Sequence, residues 1–243
     1  SEESFMKNTD WLDNLKLRAS WGMMGNDKIE AFQYLMTYSY GSNYVINNAD
    51  VQGIYETRVP NPNITWETSK TWNFGLETGL WNGLLGLEFD YFRSIRDNIL
   101  GKRNATVPVY TGISLPDENI AKVLNRGFEL VLSHRNRVGD LTYQLSGNVA
   151  FARNEVKFID DGTAAEPYQI KTEKPDRSEL FYAAIGIFRN EGHLASYPHL
   201  ASAGPGDLIF EDTNGNGIIN EKDQILVTDT QVPEVTFGLN ASF

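Results

Sequence analysis

From Thr68 to Leu80 apolar and polar side chains take turns. Trp72, Phe74, Leu76 and Leu80 share one parity, and Ser69, Thr71, Asn73, Gly75, Glu77 and Gly79 hold the other. A period of two places each set on its own face of a β-strand. Asn82-Gly83 follows, a dipeptide that tolerates the positive φ angles of a tight type I′ hairpin turn. The pattern then restarts, with Leu85, Leu87, Phe89 and Tyr91 against Gly86, Glu88 and Asp90. It recurs in Leu15 to Met23, in Phe128 to Leu132, in Leu141 to Phe151 and in Val235 to Phe243.

This pattern predicts an all-β, antiparallel chain with strands over 14–24, 68–80, 84–99, 123–134, 141–156 and 234–243. A water-soluble sandwich alternates in the same way. Two features favour a transmembrane β-barrel. The stretches run to roughly 10 residues or more, enough for tilted spans. Short connections (81–84, 135–140) also alternate with long polar excursions (25–67, 100–122, 157–233), as periplasmic turns alternate with extracellular loops. Counting direction from Asn82-Gly83 puts all three excursions outside. The apolar run 180–188 is then an external element, and 32–40 a hairpin or strand extension. Six strands cannot close a barrel, since the smallest bacterial examples use about 8. The chain is therefore expected to be part of a larger barrel; counting 32–40 and 179–188 as spans would instead give a small closed one, an adhesin or pore.

Composition removes several alternatives. Cysteine is absent, which excludes disulfides and thiolate chemistry. The net charge of -11, with no basic run, argues against a nucleic-acid partner. No stretch has the ~18 consecutive apolar residues of a membrane helix, and the start SEESFMKNTDWLDNL lacks the build of a signal peptide.

One segment carries sharp chemistry. DTNGNGIINEKD (212–223) fits a calcium-loop pattern, with Asp212, Asn214 and Asn216 at alternate positions, the Ile218 carbonyl next, Gly217 at the sharp turn and Asp223 at the position usually held by Glu. Such oxygens suit a structural Ca²⁺ that pins the loop, and Ile219 would anchor it to apolar surface. The same residue types also build metal-free turns. Glu88 and Asp90 lie two apart and could be read as paired carboxylates, but with Glu77 and Glu129 they are better read as charges facing a barrel lumen. His134, His193 and His199 show no paired ligand spacing, and no catalytic motif is present, so nothing supports an enzyme. Trp66, Trp72 and Trp81, with Tyr91 and Phe92, fit an aromatic girdle at the membrane interface. In the first excursion Tyr34, Tyr38, Tyr40, Tyr44 and Tyr55 are candidate ligand or partner contacts.

Taken in order, LKLRASWGMMGN (15–26), VPNPNITWETSKTWNFGLETGLWNG (59–83), FDYFRSIRDNIL (89–100), VLNRGFELVLSHRN (123–136), PGDLIFEDTNGNGIINEKDQ and PEVTFGLNASF resemble the SusC/RagA class of TonB-dependent outer-membrane proteins. The resemblance implies a plugged barrel of about 22 strands in the cell outer membrane. It also implies import of glycan or peptide fragments powered through TonB, with a SusD-like surface lipoprotein closing the outside. No segment here matches the plug or the TonB-contacting box, and in the family PEVTFGLNASF is followed by further strands, so Phe243 is expected to be a truncation. The competing expectation from another class is a secreted, calcium-stabilised β-sandwich that binds carbohydrate.

Overall fold

The structure, a computed structural model, describes residues 9–41, 43–102, 115–161, 166–229 and 232–243. Its strands are β1 (Leu12–Asn26), β2 (Thr37–Tyr40), β3 (Tyr44–Ile46), β4 (Ala49–Val51), β5 (Ile54–Arg58), β6 (Glu67–Leu80) and β7 (Leu85–Gly101). They continue with β8 (Glu118–Val138), β9 (Leu141–Phe158), β10 (Glu179–Tyr182), β11 (Ala184–Ile187), β12 (Leu208–Phe210), β13 (Gln224–Val227) and β14 (Val235–Ser242). The long strands form one antiparallel sheet in the order β1-β6-β7-β8-β9-β14. Each alternating stretch of the sequence lies in this sheet, and the strands overrun them: β8 extends from Glu118 to Val138 and leaves only Gly139-Asp140 as its turn.

Local chemistry fixes the hairpins. Trp81, Asn82 and Gly83 all take positive φ (56°, 54° and 80°), the backbone that Asn and Gly adopt at least cost. The Asp13 carboxylate caps the same turn from β1, accepting the N–H groups of Asn82 (2.9 Å) and Gly83 (2.7 Å). Gly139 supplies φ +64° at the second turn. Asn98, at φ +58°, marks a bulge where the β7–β8 register shifts between Arg96 and Ile99.

Because all neighbours are antiparallel, the two tight turns lie at one end of the sheet and the three long excursions at the other. The segments 32–40 and 179–188 do not enter the sheet. β2 pairs with β5, β3 with β4, β10 with β13 and β11 with β12, each as a separate two-stranded ribbon. The small closed barrel that needed them as spans is therefore not formed; β1 and β14 are the sheet's edges and do not pair with each other.

The sandwich expectation fails on packing. Among the described residues only Leu124, Val156, Phe188, Ile209 and Ile219 are fully buried apolar side chains, and the last three belong to the excursion after β9. No second sheet of the described residues covers the apolar face of the six-stranded one, where Leu17 is 76%, Phe237 79% and Leu239 88% exposed. A soluble domain of this size would bury those rows.

Candidate functional site

Register turns the alternation into two complete surfaces. On the apolar face, residues directly opposite one another build rows across the sheet: Leu17, Leu76, Phe89, Leu130, Val149 and Phe237 form one, and Ala19, Phe74, Tyr91, Phe128, Phe151 and Val235 the next. Phe128 is flanked by Phe89 and Phe151, with ring centroids at 6.2 and 5.8 Å. Trp21 pairs with Trp72 above these rows, and Trp11 meets Trp81 below them through a 2.9 Å backbone bond. Trp72 and Trp81 on one strand are separated by about 30 Å of chain, or about 23 Å along the normal at a tilt of about 40°. That is close to the height of the apolar band of an outer-membrane barrel, about 25 Å.

One girdle assignment needs correction. Tyr91 lies on the apolar face one step below the Trp72 row, opposite Phe74 and Phe128, whereas Phe92 belongs to the other face, where its ring covers Gly127. A strand sends successive side chains to opposite sides, so adjacent aromatics cannot both join one girdle.

The opposite face is polar and cross-linked. Lys16 meets Glu77 at 3.2 Å, and Arg18 reaches across β6 to Asp90 at 2.8 Å. Gly75 lies under that bridge. A Cβ there would stand 2.7 Å from the Asp90 carboxylate and 2.8 Å from Arg18 Nε. Glu88 lies opposite Glu77, and Glu129 opposite Asp90, so all four acids share this surface; the sequence placed them together but did not identify Lys16 and Arg18 as their partners. Ser69, Thr71 and Ser94 add a hydroxyl cluster (3.1 and 2.9 Å), and Glu67 joins Arg96 and Asn26 at the upper end (3.2 and 3.0 Å).

At the excursion end, side-chain amides knit the connections together. Asn119 receives the Thr65 N–H and donates to the carbonyls of Thr65 and Asn98. Gln33, nearly fully buried, donates to the Asp117 carboxylate at 3.1 Å, and Asn61 donates to the Asp117 carbonyl at 2.7 Å. The five tyrosines are all exposed, but the fold does not gather them. Tyr38 and Tyr40 share one face of the β2–β5 ribbon with Glu56 and Ile54, Tyr55 lies on its other face over Gly41, and Tyr44 belongs to the β3–β4 ribbon. Tyr34 precedes both ribbons. In the second excursion, 103–114 lie outside the described residues.

The calcium-type loop follows β12. Gly215 and Gly217 take positive φ (70° and 77°) and fold the segment back on itself. Asp212 accepts the N–H groups of Asn216 (3.1 Å) and Gly217 (2.7 Å); Asn214 and Asn216 accept those of Asn216 and Ile218. Asp223 is completely buried and accepts from Asn220 at 2.8 Å and from Asn214 at 3.4 Å. Ile219, 5% exposed, is the anchor its apolar character implied. Asp212, Asn214, Asn216 and Asp223 thus turn oxygens toward one small loop, a donor set that suits a hard cation. Among the described residues no group of three or more His, Asp or Glu forms a metal cluster, so the asparagine and carbonyl oxygens are needed to complete any cage.

A neighbouring turn clamps this loop, which the sequence did not reveal. Gln169 donates to the carbonyls of Glu221 and Gln224, both at 2.8 Å, and Tyr168 Oη donates to the Lys222 carbonyl at 2.6 Å. Desolvation, then the negative charges of Glu166, Asp223 and Asp212, hold the Tyr168 phenol above its ordinary value. The histidines have structural partners: His134 bonds Tyr143 Oη at 3.1 Å, while His193 and His199 pack edge-on against buried Phe188.

Comparison with known proteins agrees with this geometry. The family profile "TonB dependent receptor-like, beta-barrel" matches residues 8–206. TonB-dependent receptor P3 of Formosa agariphila is 29% identical over 99% of the chain, and TonB-dependent receptor SusC of Bacteroides thetaiotaomicron 30% identical over 93%. The chain spans only about a quarter of these relatives, 25% and 23% of their lengths. Among solved structures, the RagAB peptide importer in its open-open state superposes with a TM-score of 0.66 at 20% identity, over 99% of this chain and 26% of that one, a likeness of fold. A two-faced sheet with bare apolar rows, matched by profile, sequence and fold, makes the chain a member of the TonB-dependent receptor β-barrel family of the outer membrane, of the SusC/RagA type.

Proposed function

We propose that this chain forms part of the barrel wall of a TonB-dependent importer of nutrient oligomers, glycan or peptide, with its apolar rows against outer-membrane lipid and its polar face toward the lumen. The observation that carries this reading is the division of one sheet into a bare apolar surface and a surface wired by Lys16–Glu77 and Arg18–Asp90. In this reading the end bearing the three excursions is extracellular, and Tyr38 and Tyr40 on their ribbon are available to a ligand or a SusD-like lipoprotein. The relatives include SusC and a structure named as a peptide importer, which supports this class of cargo and partner. TonB would act through parts of the whole protein other than these strands, and no enzymatic step is assigned to the chain.

We further propose that Asp212, Asn214, Asn216, Asp223 and the Ile218 carbonyl hold a structural Ca²⁺. Each side-chain oxygen now bonds a backbone N–H, so the fold presents them together in a closed loop. The ion would supply charge neutralisation between two carboxylates and stiffen the segment that Tyr168 and Gln169 clamp.

The test of the import reading is genetic. Deletion of the gene for the intact protein should abolish growth on at least one member of a panel of oligosaccharides and oligopeptides, while growth on the monomers continues. A surface lipoprotein should copurify with the tagged intact protein. Unchanged growth on every oligomer, with no lipoprotein recovered, would refute it.

A further inference from the structure

The apolar face ends in a row of another kind. One step beyond Tyr91, Phe128 and Phe151, the directly opposed residues are Arg93, Arg126 and Arg153, on three adjacent strands and continuous with Trp72 and Trp21. All three arginines are exposed. Neighbouring strands are about 4.8 Å apart, so Arg93 and Arg153 stand about 10 Å from each other with Arg126 between. Like charges in direct cross-strand opposition repel, and nothing in the backbone requires them. The acids nearby offset the charge only in part: Arg126 lies 3.9 Å from Glu155, which also pairs with Lys157, and Arg153 lies 3.3 Å from Glu234. With Lys70 opposite Ile95 in the next row and Lys122 paired with Asp97 beyond it, six cations face three carboxylates on a chain whose overall charge is -11.

Depth decides what this cluster meets. From Leu85, beside the tight turn, to Arg93 the strand climbs about 27 Å, or about 20 Å along the membrane normal at a tilt of about 40°. The row therefore lies at the upper boundary of the apolar band, at the end of the sheet that carries the long excursions. Arginine on a lipid-facing surface is costly at mid-depth and nearly free at the interface, where its guanidinium reaches headgroup phosphates. Arg93 already holds its guanidinium over Trp72, with Cζ 5.9 Å from the ring centroid, a cation–π contact that fixes the charge beside the girdle ring.

We propose that Arg93, Arg126 and Arg153 form a binding site for the phosphate groups of an outer-leaflet glycolipid, on the outer wall of the barrel and separate from the lumen. A planar guanidinium donates two parallel N–H bonds to a phosphate, and three on adjacent strands can divide one phosphorylated sugar headgroup among them while its acyl chains lie along Tyr91, Phe128 and Phe151. The site rests on the reading that the apolar face meets lipid, and it is independent of what is imported.

The test uses the intact protein, delipidated in mild detergent and titrated with lipid A and with phosphatase-treated lipid A, bound lipid being counted by native mass spectrometry. The wild type should bind the phosphorylated form at least about tenfold more tightly. Arg93→Gln/Arg126→Gln/Arg153→Gln should lose that preference, and Arg135→Gln/Arg137→Gln, at the opposite end of the sheet, should keep it. Inorganic phosphate at millimolar concentration should not displace the lipid. Equal binding of the two lipids by wild type, persistence of the preference in the triple variant, or displacement by free phosphate would each overturn the site. The lipid-pair comparison needs no variant and so stands even if the triple variant misfolds. Equal binding of both lipids leaves the lipid-facing reading intact, whereas a protein that is monodisperse without detergent and binds neither lipid removes both.

Discussion

Leu130→Arg places a charge at the centre of the apolar face, and its cost reports directly on what that face touches. Leu130 lies midway along β8 between Arg126 and His134, opposite Phe89 and Val149. Either end of the band is then about 14 Å away along the strand, or about 10 Å along the membrane normal. That distance exceeds the reach of an arginine that could snorkel to a headgroup without distorting the bilayer. At such depth a lipid-exposed arginine costs about 2–4 kcal/mol, a factor of roughly 30 to 1000 in the folding equilibrium. Val131→Arg, one residue along, turns the same charge onto the polar face beside Glu88 and should cost less than about 1 kcal/mol. The assay is reversible urea unfolding of the intact protein in phospholipid vesicles, both variants against wild type. Equal penalties for the two positions, or a larger one for Val131→Arg, would refute the assignment of faces.

Other outcomes follow from particular contacts. A Cβ at Gly127 would meet the Phe151 carbonyl oxygen at 2.1 Å and the Phe92 ring at 2.7 Å, so Gly127→Ala should destabilise by at least about 1–3 kcal/mol and lower the temperature at which the folded band disappears in SDS gels. Gly22→Ala, with no atom within 4 Å, should leave that temperature unchanged. Isothermal titration of the intact protein should detect Ca²⁺ with a Kd in the extracellular range, about 10⁻⁴–10⁻³ M, and Asp212→Asn with Asp223→Asn should abolish it and expose 157–233 to protease. Tyr168 has a raised folded pKa, so the stability it contributes is complete below the unfolded value of 10.0 and is lost as pH rises through the folded one. Bound Ca²⁺ would offset the carboxylates that raise it, so phenolate absorbance should begin at lower pH with Ca²⁺ than with chelator. The chain expressed alone, with both sheet edges bare, should need detergent to stay dispersed; a monodisperse monomer in plain buffer would contradict the lipid-facing assignment.

The alternation made the strands and their faces legible because a period of two leaves little freedom once one face is apolar. Register was legible where the turn is short. With Leu80 opposite Leu85, counting back puts Trp72 opposite Arg93; the second turn, expected over 135–140, is only Gly139-Asp140, and it is this shorter turn that puts Arg126 opposite Arg153. What joins those two pairs into one row is the β7–β8 register, which passes through a long excursion and an Asn98 bulge and cannot be counted from sequence. The same limit hid Arg18–Asp90, since β1 and β7 meet only across β6, and the Tyr168–Gln169 clamp, whose partners lie more than fifty residues away. The tight loop at 212–223 was legible because its Asp, Asn and Gly residues fall within twelve consecutive positions; the tyrosines, spread over two ribbons and the segment before them, were visible as residues but not as an arrangement.

Among the described residues only Leu124 and Val156 of the sheet are fully buried apolar side chains, which shows where its stability must come from and what its polar face is free to do. Inside a bilayer no water competes for N–H and C=O groups, so with the apolar face against lipid, as proposed, the ladder running through β1, β6, β7, β8, β9 and β14 would be compulsory and the apolar rows would need only to match their surroundings. The polar face then has few packing duties. Exposed ion pairs such as Lys16–Glu77 contribute at most about 1 kcal/mol. Glu88, Asp90 and Glu129 can therefore be exchanged for other polar residues at small cost to the fold. The excursion after β9 obeys the opposite rule. It lies beyond the band, buries Phe188, Ile209, Ile219 and Asp223, and ties itself to β9 through Val156 with backbone bonds of 2.8 and 2.7 Å to Lys174 and Glu173. Substitutions there act through packing, so Phe188→Ala should loosen the loop as a unit while leaving the barrel wall intact.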